Sequence, residues 1–88
     1  MAKSAAQAKA KDFLNVHRFV GEKMRELRGD MRPSDFASKN GIHQAWLAKC
    51  EAGEPTCKSR LSSLAARNGI DVGYFFPNGK VPDNYPDY

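Results

Sequence analysis

The chain has 88 residues, enough for one domain with a single modest core and too few for two. Hydrophobic residues make up 41% and charged residues 27%, a balance that excludes a membrane-embedded or wholly disordered chain. The formal net charge of +4 is unevenly spread: residues 1–28 hold seven Lys/Arg against three Asp/Glu, residues 29–70 six against four, and residues 71–88 one against three. A basic body with an acidic tail suits a polyanion partner, although charge of this size serves solubility equally well.

No apolar run approaches the ~20 residues of a membrane helix. The lysines of MAKSAAQAKAKDF are not followed by the apolar stretch of a secretory signal, so a cytoplasmic protein is expected. Two cysteines, Cys50 and Cys57, are too few for a disulfide scaffold. Their spacing with His17 and His43 fits none of the common zinc motifs. No metal and no cofactor are expected.

Residues 1–11 are Ala/Lys-rich and lack large apolar side chains, which predicts a frayed helix or a basic arm carrying Lys3, Lys9 and Lys11. From Asp12 the pattern changes. Phe13, Val16, Val20, Met24 and Leu27 form one helical stripe, and Gly29-Asp30 ends it, predicting a first helix over Asp12 to Arg28. Pro33 and Asp35 suit the start of a second, short helix, with Phe36 and Ala37 as its apolar pair and Asn40-Gly41 as its stop. A third helix is expected from Gln44 to Ala52, closed by Gly53. A fourth starts at Thr56 or Cys57 and ends before Gly69, with Leu61, Leu64, Ala65 and Asn68 inward. Asp71 then caps a further turn, VGYFF, read as a fifth helix. The last twelve residues, PNGKVPDNYPDY, carry three prolines and form a non-helical tail. The domain organisation is therefore an arm (1–11), a body (12–76) and a Pro-rich tail (77–88). The expected fold is all-α, five helices on one core of Val16, Val20, Met24, Leu27, Phe36, Ala37, Ile42, Leu47, Cys50, Leu61, Leu64, Ile70 and Phe75 or Phe76.

The third helix divides into two faces. Ile42, Leu47 and Cys50 read as inward, while Gln44, Ala45, Ala48 and Lys49 leave a polar, nearly flat surface. With the second helix it makes a helix–turn–helix pair joined by about four residues around Gly41. Such a face is what a helix needs to enter a major groove, with its N-terminal side chains at the base edges.

From about Phe19 to Phe76 the chain resembles the lambda-repressor/Cro-like family of helix-turn-helix DNA-binding domains, also called the XRE family. FVGEKMRELR resembles the opening helix. FASKNGIHQAWLAKCEAG resembles the helix-turn-helix, with Ala37, Gly41, Leu47 and Cys50 in its most constrained slots, and LSSLAARNGIDVGYFF resembles the closing helices. The resemblance implies sequence-specific binding of duplex DNA by a homodimer on an inverted repeat, and transcriptional repression of the phage or plasmid kind. The chain departs from the family in carrying Pro33 where Gln often stands, and Gly53-Glu54-Pro55 where the loop is often basic.

The resemblance places Gln44 in a base-reading slot, where its amide suits adenine. Ala45 could meet a thymine methyl, Lys49 a guanine or phosphate, and His43 a base edge or the cap position. Arg32, Ser34, Lys39, Trp46, Lys58 and Arg60 are candidates for phosphate contact, against a plain solvated surface for each. Tyr74, Phe75, Phe76, Val81 and Tyr85 are the expected dimer interface: three consecutive aromatics cannot all turn inward on one short turn, and Tyr85 adds apolar area to the tail. Almost the whole chain is taken up by the DNA-binding body, so no small-molecule ligand is expected. The alternative is an antitoxin or other protein-interaction module with the same fold. An enzyme is not expected, since no nucleophile–base pair, paired carboxylates or phosphate loop is legible.

Overall fold

The computed structural model describes residues 5–83 and 85, with side chains from Val16 onward. Among these residues it is all-helical. Four α-helices, α1 (Ala5–Arg28), α2 (Pro33–Asn40), α3 (Gln44–Glu51) and α4 (Lys58–Arg67), are followed by 3-10 turns at Val72–Phe75 and Pro77–Gly79. The Ala/Lys-rich segment expected as an arm is continuous with α1 from Ala5 on. Lys3 and the side chains of Lys9 and Lys11 lie outside the described residues.

The expected fifth helix is a 3-10 turn. The Asp71 carboxylate accepts the Gly73 N–H at 2.8 Å and starts it. Gly73 sits in its interior and Pro77 follows, so neither propensity nor hydrogen bonding carries a helix further. The α2 boundaries follow from local chemistry. Pro33 pre-sets the first helical φ, and Gly41 closes the helix in the left-handed region at φ 66°. The N–H groups of Gly41 and Ile42 turn back onto the carbonyls of Ser38 and Ala37.

The core is built from Val20, Met24, Phe36, Ala37, Leu47, Cys50, Leu61, Leu64, Ala65, Phe75, Phe76 and Tyr85. Val16, Leu27, Ile42 and Ile70, expected inside, are only partly buried at its edge. For Val16 and Leu27 the reason is the rotation of α1. Its most buried line is His17, Val20, Gly21 and Met24, one step round from the stripe of large apolar residues. Gly21 sets the approach of α1 to α3: a Cβ there would fall 2.4 Å from the Cys50 carbonyl oxygen. Burial pushes the Cys50 thiol up to about 12, with nearby Glu51 adding to the effect, so this cysteine packs as a small apolar residue.

The C-terminal segment folds back on this body. Phe75 and Phe76 are both buried, and Tyr74 lies over α1 with its hydroxyl 3.4 Å from the Lys23 carbonyl. Tyr85 enters the core beside α1. Its hydroxyl donates to the Thr56 carbonyl at 2.8 Å and lies 3.4 Å from His17 Nδ1, while its ring meets Phe76 edge-on at 5.0 Å. This corrects the expected dimer interface. Phe75, Phe76 and Tyr85 are spent on the subunit's own core, and of the five candidates only Tyr74 and Val81 keep partial exposure. The 3-10 turn ends at Phe75 and Phe76 is extended (φ −123°, ψ 150°), and this break in backbone conformation lets two adjacent phenyl rings reach the core while Tyr74 covers the surface of α1. No helix among the described residues is long and apolar enough to cross a membrane.

Candidate nucleic-acid interface

Helix α3 has the two faces that its sequence suggests. Leu47 and Cys50 are buried, whereas Gln44, Ala45, Ala48 and Lys49 are exposed. His43 occupies the N-cap position in extended conformation, but its side chain makes no capping bond and is exposed. Trp46 is half-buried, with the Arg60 guanidinium 5.8 Å above its ring. That contact puts Arg60, in the first turn of α4, beside α3, and Lys58 is exposed at the start of the same turn.

Helices α2 and α1 also border α3. Pro33, Arg25, Gln44, Ala48 and Ala52 line a shallow groove of about 290 Å³. Arg32 and Ser34 are exposed at the same end of α2, and Arg32 pairs with Asp35 at 2.9 Å. Both partners of this pair are well exposed, so it is worth no more than ~1 kcal/mol and leaves the guanidinium able to exchange partners. Lys39 lies in the last turn of α2, roughly 7.5 Å from Ser34 by helix rise. The structure thus brings Gln44 beside Pro33 and Arg25 along one groove and Arg60 over Trp46, and leaves Ala45, Lys49, Arg32, Ser34, Lys39 and Lys58 exposed.

Two determinants of α3's position were not legible beforehand. The first is a bidentate ion pair. Arg28 Nε and Nη2 each donate to the Glu51 carboxylate at 2.8 Å, with Arg25 at 3.5 Å, and Arg28 also donates to the Met31 carbonyl at 3.0 Å. The Arg28 hydrogen bonds hold the Glu51 carboxyl below its usual range, against the opposing effect of burial. Arg28 is raised in turn, chiefly by the same bond. This brace fixes the C-terminal end of α3 to α1. The only signal for it was Arg25 and Arg28 in the last turn of the first helix.

The second is an amide ladder. Buried Asn40 donates to the Phe36 carbonyl at 2.9 Å and accepts from Asn68 Nδ2 at 2.9 Å, and Asn68 also donates to the Leu64 carbonyl at 2.7 Å. It ties the last turn of α2 to the end of α4. Asn40 reads as a turn residue in the sequence, and its reach to Asn68 needs the tertiary fold.

No group of three or more His, Cys, Asp or Glu among the described residues could hold a metal ion. No protein-family model, curated protein or solved structure matches the chain.

Proposed function

We propose that the protein is a sequence-specific binder of double-stranded DNA with a lambda-repressor-like helix-turn-helix, acting in the cytoplasm as a homodimeric transcriptional repressor on an inverted repeat and not as an enzyme. The observation that carries this reading is α3 itself. Gln44, Ala45, Ala48 and Lys49 form an exposed face without a carboxylate, while Leu47 and Cys50 seat the helix in the core. Arg60 stands over Trp46 on α3, and Arg32 and Lys58 are exposed at the starts of the neighbouring helices α2 and α4. A face that is flat, polar and bordered by positive charge suits insertion into a major groove between two phosphate backbones.

In this reading Gln44, Ala45, Lys49 and His43 meet base edges, and Arg32, Ser34, Lys58 and Arg60 meet phosphates, with Trp46 holding Arg60 in place. Tyr74 and Val81 remain as apolar candidates for a contact between subunits. The test is selection of bound sequences from random duplex DNA with the purified protein. An enriched site with two inverted half-sites is expected. Gln44→Ala should then cost ~1–3 kcal/mol on that site and flatten preference at one position per half-site, with the fold unchanged. Binding should also weaken steeply with salt, each phosphate contact adding ~0.9 to the log–log slope. Absence of any enriched sequence, or a nearly flat salt dependence, would instead support a protein-interaction module.

A further inference from the structure

A second groove lies behind the turn between α2 and α3. It encloses about 420 Å³ and is lined by Asn40, Gly41, Ile42, His43, Ser59, Arg60, Ser63, Leu64 and Arg67. That volume is within the ~300–1,000 Å³ usual for small-molecule sites. No carboxylate lines it. Arg60 and Arg67 have no ion-pair partner among the described residues, and Arg60 has only the face of Trp46. Arg67 is oriented by its bond to the Lys39 carbonyl at 3.3 Å, and a Cβ at Gly41 would sit 3.5 Å from its Nη2. The guanidinium is therefore held over the turn by the Lys39 carbonyl, with most of its N–H donors unspent.

We propose that this groove is a binding site for a phosphate group. Two guanidinium forks, two serine hydroxyls on successive turns of one face of α4, and the His43 ring offer more donors than a carboxylate has oxygens. A phosphate monoester, doubly charged and with three terminal oxygens, matches that set. The floor supplied by Ile42 and Leu64 is apolar and gives room for an organic group attached to the phosphate. The same chemistry is available on a DNA backbone, and the two sources are separable by experiment. The site shares His43 and Arg60 with the proposed DNA face but does not depend on the base-reading role of Gln44 and Lys49.

The test uses the full-length chain, labelled with ¹⁵N, titrated with inorganic phosphate against sodium chloride of equal ionic strength. Saturable shifts confined to the Gly41, His43, Ser59 and Ser63 amides and the Arg67 side chain are expected. Arg67→Leu should weaken phosphate binding about tenfold or more, as loss of a charge-assisted contact does. Ser63→Asp, which keeps Arg67 but sets a carboxylate one turn before it on α4, should abolish binding by pairing with the guanidinium and placing a negative charge in the groove. Lys80→Ala, on the exposed tail, should leave it unchanged. A nucleoside 5′-monophosphate binding tighter than inorganic phosphate identifies a small-molecule ester as the occupant. Exclusion of the nucleotide, with displacement of inorganic phosphate by duplex DNA, identifies the backbone. Shifts that match those of chloride, or spread over all the basic surface, or persist in Ser63→Asp, overturn the site. Phosphate binding by a protein that enriches no DNA sequence would leave the groove standing and remove only the DNA reading.

Discussion

At the scale of single residues, the most consequential side chain that patterning passed over is His17. It is wholly buried, and burial lowers its affinity for protons below the ordinary imidazole value of about 6.5. The native state therefore holds it neutral over a range where the unfolded chain protonates it. Stability tied to His17 is complete above that ordinary value and is lost as pH falls below it, until the native state also takes up the proton. Urea midpoints measured from pH 7.5 to 5 should fall, with a slope of up to ~1.4 kcal/mol per pH unit from this one group. His17→Gln should start lower and flatten that slope. An unchanged slope in the variant would assign the effect to other groups. Glu51 contributes in a separate window: its carboxyl is held low by Arg28, so its contribution is present at neutral pH and disappears only in acid, as pH falls through its depressed native value.

Among the elements, the crossing of α1 and α3 decides where the exposed face of α3 points. Two backbones meet at Gly21, and the carbonyls of Cys50 and Glu51 fill the space a methyl group would need. Gly21→Ala improves the local helix propensity of α1 by ~1 kcal/mol, yet the clash with backbone atoms cannot be relieved by a rotamer change. A net loss of ~1–3 kcal/mol in chemical denaturation is expected, and a stabilised variant would show that the helices sit further apart. The crossing also explains what the sequence could and could not reveal. The limits of α2 were readable because Pro33, Asp35 and Asn40-Gly41 act within one turn of themselves. The two faces of α3 were readable because period alone separates Leu47 and Cys50 from Gln44 and Lys49. The core line of α1 lies one step from the apolar stripe, although His17, Val20, Gly21 and Met24 fall at ideal helical spacing. A histidine and a glycine carry no apolar signal, so the pattern points instead to the line through Phe13, Val16 and Leu27. The Arg28–Glu51 and Asn40–Asn68 pairs are 23 and 28 residues apart. Periodicity names the face a residue is on and is silent about what that face meets.

Across the whole molecule, the tail has a different role from the one its composition suggests. An acidic, Pro-rich segment with scattered tyrosines reads as a surface strap for another subunit, whereas Tyr85 closes the subunit's own core between α1 and the loop that carries Thr56. Tyr85→Ala should cost ~3 kcal/mol by opening a cavity lined by Phe76 and His17. Its melting temperature should drop by more than 10 °C for a chain this size, with sedimentation mass unaltered at micromolar concentration. A mass that halves without loss of melting temperature would return Tyr85 to the interface between subunits.

The hydroxyls of Tyr74 and Tyr85 each reach α1 from far along the chain, 51 residues from Lys23 and 68 from His17. Both contacts tie the C-terminal segment to the same middle stretch of α1. In amide hydrogen exchange the middle turns of α1 and the segment around Phe75 and Phe76 should then lose protection together, at the free energy of global unfolding, as one cooperative unit. Early exchange is left to the exposed side of α3, the face proposed to meet DNA.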